Sequence, residues 1–189
     1  MRVVIYANLS LPFSPRTLQT RALGGSESAL YYLTREMARL GMDITILNHC
    51  GAAAGACDGV RYVDLDRQGR WRDVLSPAPD VLVVFRQTTD LFKTLPGRLR
   101  ILWAHDHIGA FPERTGAGGP LTALGWRLIH EPFAARVDVV AAVSRWLARS
   151  FHDHWGLPWE RLFVTRNGID LTAYETLPPS RHQARLVYT

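Results

Sequence analysis

Short, unbroken apolar runs alternate along this chain with stretches whose apolar residues recur every three or four positions. The runs are Val3–Tyr6, Ile44–Leu47, Val81–Phe85, Ile101–Trp103, Val139–Val143 and Leu162–Val164, with Val60–Val63 as a weaker one. A continuous apolar run of this length reads as a strand covered on both faces, the usual state of a parallel strand. Helices are expected near Ser26–Leu40, Trp71–Leu75, Thr88–Leu95, Leu121–Arg136 and Arg145–Trp155. In the first, Leu30, Leu33, Met37 and Leu40 share one helical face, and Gly41 stands where a glycine commonly ends a helix.

The alternation of strand and helix predicts an α/β fold. The sheet should be Rossmann-like, doubly wound and mainly parallel, with six or seven strands and helices on both faces. Ligands of such sheets bind beyond the carboxyl ends of the strands. The segments to search are therefore those following each strand: Ala7–Gly25, Asn48–Gly59, Arg86–Thr89, His105–Gly119 and Ser144.

The first of these segments ends in Gly24-Gly25-Ser26-Glu27, just where the first long helix should start. Glycines let another group approach the backbone, and a helix start offers unpaired N–H groups and the positive end of its dipole. Together they form a candidate site for a phosphate or another anion at Gly24, Gly25 and Ser26. Close packing explains a glycine pair equally well, and Glu27 would repel an anion placed too near it. A dinucleotide fingerprint does not fit. The glycine spacing is wrong, the loop from Tyr6 is too long for a tight turn, and Asn48 stands where an acid would be needed.

His105-Asp106-His107 follows the strand Ile101–Trp103. Two histidines one residue apart can share a metal, but no third ligand is evident, so no metal is expected. His105 with its acidic neighbour Asp106 can instead hydrogen-bond substrate hydroxyls or help neutralise charge near a reacting bond, or can simply make local loop contacts. Arg86, Arg114 and Ser144 are further candidates at strand ends or in the loops beyond them, the arginines for an anionic acceptor. His152 and His154 read as surface or packing residues.

Composition narrows the partners. The chain has 189 residues, enough for one well-buried α/β domain and short for two. Its net charge is +5 and its pI about 9.7, carried almost wholly by arginine, with Lys93 the only lysine. The arginines are scattered and form no basic run, so nucleic acid is not expected as a partner. The basic, aromatic helix at Leu121–Arg136 suits either packing on the sheet or peripheral contact with a membrane. No apolar run reaches the length of about 18 residues needed to cross a bilayer, and the N-terminus lacks a signal-peptide layout. Cytoplasmic location is expected, with peripheral contact at the inner membrane face left open. Cys50 and Cys57 match no metal or redox spacing and read as two reduced thiols.

Four pieces occur in a recognisable order: Gly24-Gly25-Ser26-Glu27, His105-Asp106, Val143-Ser144-Arg145-Trp146-Leu147 and Arg166-Asn167-Gly168-Ile169-Asp170. Over about residues 1–175 the chain resembles the N-terminal half of a GT-B glycosyltransferase of the retaining family four. The resemblance implies two Rossmann-like domains facing across a cleft. The N-terminal one mostly holds the acceptor, and the C-terminal one binds the nucleotide-sugar donor. It implies that Gly24 and Gly25 approach the donor diphosphate, that His105 contacts the transferred sugar, and that transfer proceeds with retention and no obligatory metal or other cofactor.

The expected organisation is then an acceptor-side domain over 1–175, a Pro-rich linker over 176–184 around Pro178-Pro179, and at 185–189 the opening strand of a donor-binding domain. On this reading the chain is truncated or one half of a split enzyme, and is inactive alone. The competing reading is a stand-alone binding module that keeps the fold without the chemistry.

Overall fold

The structure is a computed structural model and describes residues 1–9, 13–14, 17, 23–67, 70–106 and 135–168. The strands are β1 (Arg2–Ala7), β2 (Asp43–Asn48), β3 (Gly55–Cys57), β4 (Val60–Asp64), β5 (Val81–Phe85), β6 (Leu99–Ala104), β7 (Val139–Ala142) and β8 (Leu162–Val164). They form one sheet in the order β3-β4-β2-β1-β5-β6-β7-β8. Every pairing is parallel except β3 with β4. The mainly parallel α/β sheet is thus as expected, and among the described residues it has eight strands, one more than the seven runs read from the sequence. The extra one is β3, which the Asp58-Gly59 turn folds back on β4. Both turn residues have positive φ, 50° and 76°, the backbone of a tight hairpin.

Alternate residues of β1 serve two cores. Val3, Ile5 and Ala7 pack under helix α1 (Gly25–Arg39) with Ala29 and Leu30. Val4 and Tyr6 face the opposite layer, which includes Leu147, Phe151 and Trp155. The last three come from a long helix, Arg145–Trp155, which follows β7. Helices therefore cover both faces of the sheet, and this is why the strands read as continuous apolar runs.

The helix ends follow their sequence signals. After α1, Gly41 takes φ +83°, its N–H reaches the Ala38 carbonyl at 2.9 Å, and Met42 N–H reaches that of Met37 at 3.2 Å. This is the paired hydrogen bonding of a Schellman ending. At Arg145–Trp155, Ser144 caps the start and Gly156 closes the end at φ 60°.

Two expected helices shrink. The one near Trp71–Leu75 is a single turn, α2 (Arg70–Asp73), and Arg145–Trp155 is accordingly α3. The one expected over Thr88–Leu95 is a 3₁₀ helix, Thr88–Phe92. Proline explains both limits, because Pro77 and Pro96 push the residues before them toward extended backbone. The helix expected at Leu121–Arg136 lies outside the described residues except for its last two. The proposed linker and the strand at 185–189 lie wholly outside them. No described helix is long and apolar enough to cross a membrane.

Candidate functional site

The carboxyl ends of the strands line up residues that are far apart in sequence. The β1–β5 register runs to Tyr6 opposite Val84, so Asn8 and Arg86 leave neighbouring strands side by side. Phe85 pairs with Trp103, and Ala104 with Ala142, so His105 and Ser144 follow adjacent strands at the same rim. Gly24 and α1 begin there too.

Gly24 is the N-cap of α1, with extended backbone and no side chain to cap the helix. Glu27, in the first turn of α1, lies next to it. Its carboxylate folds back against Gly24, where any Cβ would collide with it. The Glu27 side chain is only 7% exposed, yet Arg86 Nη1 lies 3.6 Å from its Oε1. Arg86 also donates from Nε to Asp106 Oδ2 at 2.7 Å. One guanidinium thus joins the α1 start to the loop after β6 and offsets two carboxylates. Arg86 takes φ 62°, an uncommon conformation for a residue with a Cβ, as the chain turns sharply out of β5. Gly25 differs from Gly24: an added Cβ meets nothing within 4 Å. The first N–H groups of α1, at Gly25 and Ser26, have no partner within the helix itself, and Arg86 tempers the repulsion Glu27 would exert on an anion there.

His105 is half-buried against Phe85 and Trp103, with ring centroids 4.9 Å from each. Its Nε2 is buried and has no hydrogen-bond partner among the described residues. Burial first, and then the Arg86 charge, lower its pKa to about 4, against the opposing pull of Asp106. The ring is therefore neutral at ordinary pH and offers hydrogen bonding rather than charge. A buried polar atom without a partner is costly, and such a group at a rim invites a ligand to complete it. Trp103 Nε1 is buried and unpartnered as well.

Other candidates have different surroundings. Ser144 Oγ accepts from Leu147 N–H at 3.1 Å, so its visible contact is the cap of α3. Arg166, Asn167 and Gly168 leave β8 and line a groove of about 620 Å³ with Tyr32 and Leu33 of α1. His152 bonds the Leu157 carbonyl at 2.8 Å and stacks on Trp159, a packing role. Arg114, His107, Ile169 and Asp170 lie outside the described residues. Cys50 and Cys57 are not joined in a disulfide. Among the described residues, no group of three His, Cys, Asp or Glu is placed to hold a metal ion.

The sequence reading passed over a second polar cluster at this rim. His49 follows β2, with Nδ1 2.9 Å from Asp66 Oδ1 and Nε2 2.8 Å from Asn8 Oδ1. Asn8 Nδ2 in turn donates to Asp90 Oδ1 at 3.2 Å. Asn8 and His49 each fall within a segment that the strand-end rule marks for search, so the signal was present. No local motif distinguished them.

Two comparisons complete the description. No curated protein matches the chain. The model of Glycosyltransferase Family 4 matches residues 23–173, well over half of the chain and including Gly24, Arg86, His105 and Ser144. With that match laid over an α/β sheet of the expected architecture, the chain belongs to Glycosyltransferase Family 4.

Proposed function

We propose that these residues form the acceptor-side domain of a nucleotide-sugar-dependent glycosyltransferase that transfers with retention. The domain spans 1–175, with a linker at 176–184 and the opening of a donor-binding domain at 185–189. The donor diphosphate approaches the open backbone at Gly25 and Ser26, where the helix start favours negative charge. The transferred sugar lies against His105, and the neutral imidazole hydrogen-bonds a sugar hydroxyl through Nε2. No obligatory metal is proposed. Arg86 acts as a brace that holds Glu27 and Asp106 in place and offsets their charge. A second domain bearing most donor contacts completes the site, because much of catalysis lies in positioning both substrates together. The residues alone are proposed to give no turnover.

The observation that carries this reading is the buried Nε2 of His105, without a hydrogen-bond partner among the described residues, at the same rim as the start of α1. The test uses an enzyme that contains both domains. Gly25→Val should raise the KM for the nucleotide sugar while the fold persists. His105→Ala should lower kcat by roughly 10²-fold or more with little change in KM, as expected for a group acting at the reacting sugar. Undiminished turnover in the His105 variant would favour the competing reading, a binding module whose rim does no chemistry.

A further inference from the structure

The exit of β1 is gripped from both of its neighbours in the sheet. On the β5 side, Asn8 Nδ2 donates to Asp90 Oδ1 at 3.2 Å, and Asp90 is itself held 2.8 Å from Lys93 Nζ. A carboxylate paired with an ammonium only accepts, so the Asn8 amide is fixed with its Oδ1 turned toward β2. There it meets His49 Nε2 at 2.8 Å, and His49 is therefore the donor. Asp66 steadies the outer side of the ring, 2.9 Å from Nδ1, but is itself 69% exposed. Asn48, the residue before His49, makes a second grip farther along. It is buried, and its Nδ2 donates to the Phe13 carbonyl at 2.7 Å. A buried loop carbonyl needs a donor, and this amide supplies one.

Both grips reach the start of α1 through packing. Leu9 and Phe13, at the gripped atoms, are buried in the same apolar cluster as Ala29 and Leu30 of α1, with Leu23 packed against it. A connection from strand to helix usually takes about 2–6 residues. The one from Asn8 to Gly24 is much longer, so the end of β1 does not by itself fix where α1 begins. We propose that Asn48 and His49 are positioning residues: they seat Asn8 and Phe13, and through the packing of Leu9 and Phe13 they set where Gly24 and Gly25 stand at the rim. Their part is played through these neighbours and not by contact with a ligand. The assignment rests on reading the start of α1 as the site of an anion.

The test uses the full 189-residue chain, with amide exchange and a pyrophosphate titration both read by NMR. The amides of Leu9, Ser14 and Thr17 are hydrogen-bonded within the connection, and that of Ser28 bonds the Gly24 carbonyl at 2.9 Å. His49→Ala should speed exchange at Leu9 and Ser28 by roughly fivefold, the net worth of one hydrogen bond, while Leu82 and Leu102 in β5 and β6 keep their rates. His49→Gln, whose side-chain N–H can reach the Asn8 oxygen, should restore wild-type exchange. Asp66→Asn alters only the exposed outer contact and should change rates by less than about twofold. Asn48→Asp, of the same shape but without the donor, should loosen Ser14 and Thr17. If that buried variant fails to fold, the two His49 variants decide alone. Pyrophosphate should move the Gly25 and Ser26 amide signals of the wild type, with affinity lowered roughly fivefold by His49→Ala and recovered in His49→Gln. Unchanged exchange at Leu9 and Ser28 in His49→Ala overturns the proposal, as does equal acceleration in β5 and β6, which would mean general destabilisation. Wild-type pyrophosphate affinity in a variant whose connection has loosened overturns it too. If pyrophosphate leaves Gly25 and Ser26 unmoved in the wild type while exchange responds as stated, the positioning role is supported and the anion-site reading fails instead.

Discussion

His105 makes the stability of this domain depend on pH in a defined direction. The ordinary imidazole value is 6.5, and in the folded chain burial and Arg86 lower it to about 4. The unfolded chain therefore takes up a proton on this residue well before the folded one does. Stability is fully present above pH 6.5 and is lost as pH falls toward 4. With the shift discounted for the ring's partial exposure, linkage predicts a loss on the order of 1 kcal/mol between pH 7.5 and pH 5.5, growing further toward pH 4.5. The other six histidines and all carboxylates titrate too, so wild-type protein alone cannot isolate the effect. The useful comparison is His105→Phe, which keeps an aromatic ring against Phe85 and Trp103 and removes both the titration and the orphaned Nε2. Urea unfolding of both proteins at pH 7.5 and 5.5 gives the difference of differences. His105→Phe should match or exceed wild type at pH 7.5, because a buried unpartnered polar atom is replaced by carbon. It should also lose on the order of 1 kcal/mol less than wild type on going to pH 5.5. Parallel pH dependence in the two proteins, with unchanged m-values, would refute the reasoning and put His105 in a solvated setting.

The two neighbouring glycines should behave oppositely. Gly24→Ala displaces the Glu27 carboxylate, the far end of a flexible side chain, and should cost at most about 1 kcal/mol in chemical unfolding. Gly25→Ala, with open space around its Cβ, should stabilise by about 0.4–1 kcal/mol through the unfolded chain. Ser144→Ala should cost about 1 kcal/mol by uncapping α3, whereas Ser144→Asp, which keeps a capping oxygen, should recover most of it in the same unfolding assay. Burial and the nearby Asp64 push the Cys50 thiol up to about 11. A thiol-reactive dye at neutral pH should therefore leave Cys50 unmodified until urea is added.

The parts of this protein legible in the sequence are those decided by local chemistry. Continuous apolar runs read as strands because a strand buried on both faces has no polar side to show, and six of the eight described strands announce themselves this way, while β4, interrupted by exposed Arg61, does so more weakly. Gly41 and Gly156 end helices because the left-handed backbone there suits glycine, and Ser144 starts one because its hydroxyl replaces a missing backbone partner. Asp58-Gly59 carried an equally local hairpin signal for β3, although the short, apolar-poor Gly55–Cys57 gave no strand pattern to go with it. What the sequence could not supply is adjacency between distant segments. Arg86 is 59 residues from Glu27 and 20 from Asp106, and only the order β1-β5-β6 brings the guanidinium between those carboxylates. The neutrality of His105 likewise depends on Phe85, Trp103 and Arg86 closing around it. Local propensity can show where a strand ends, but the environment of a residue at that end is set by whatever the sheet order places next to it.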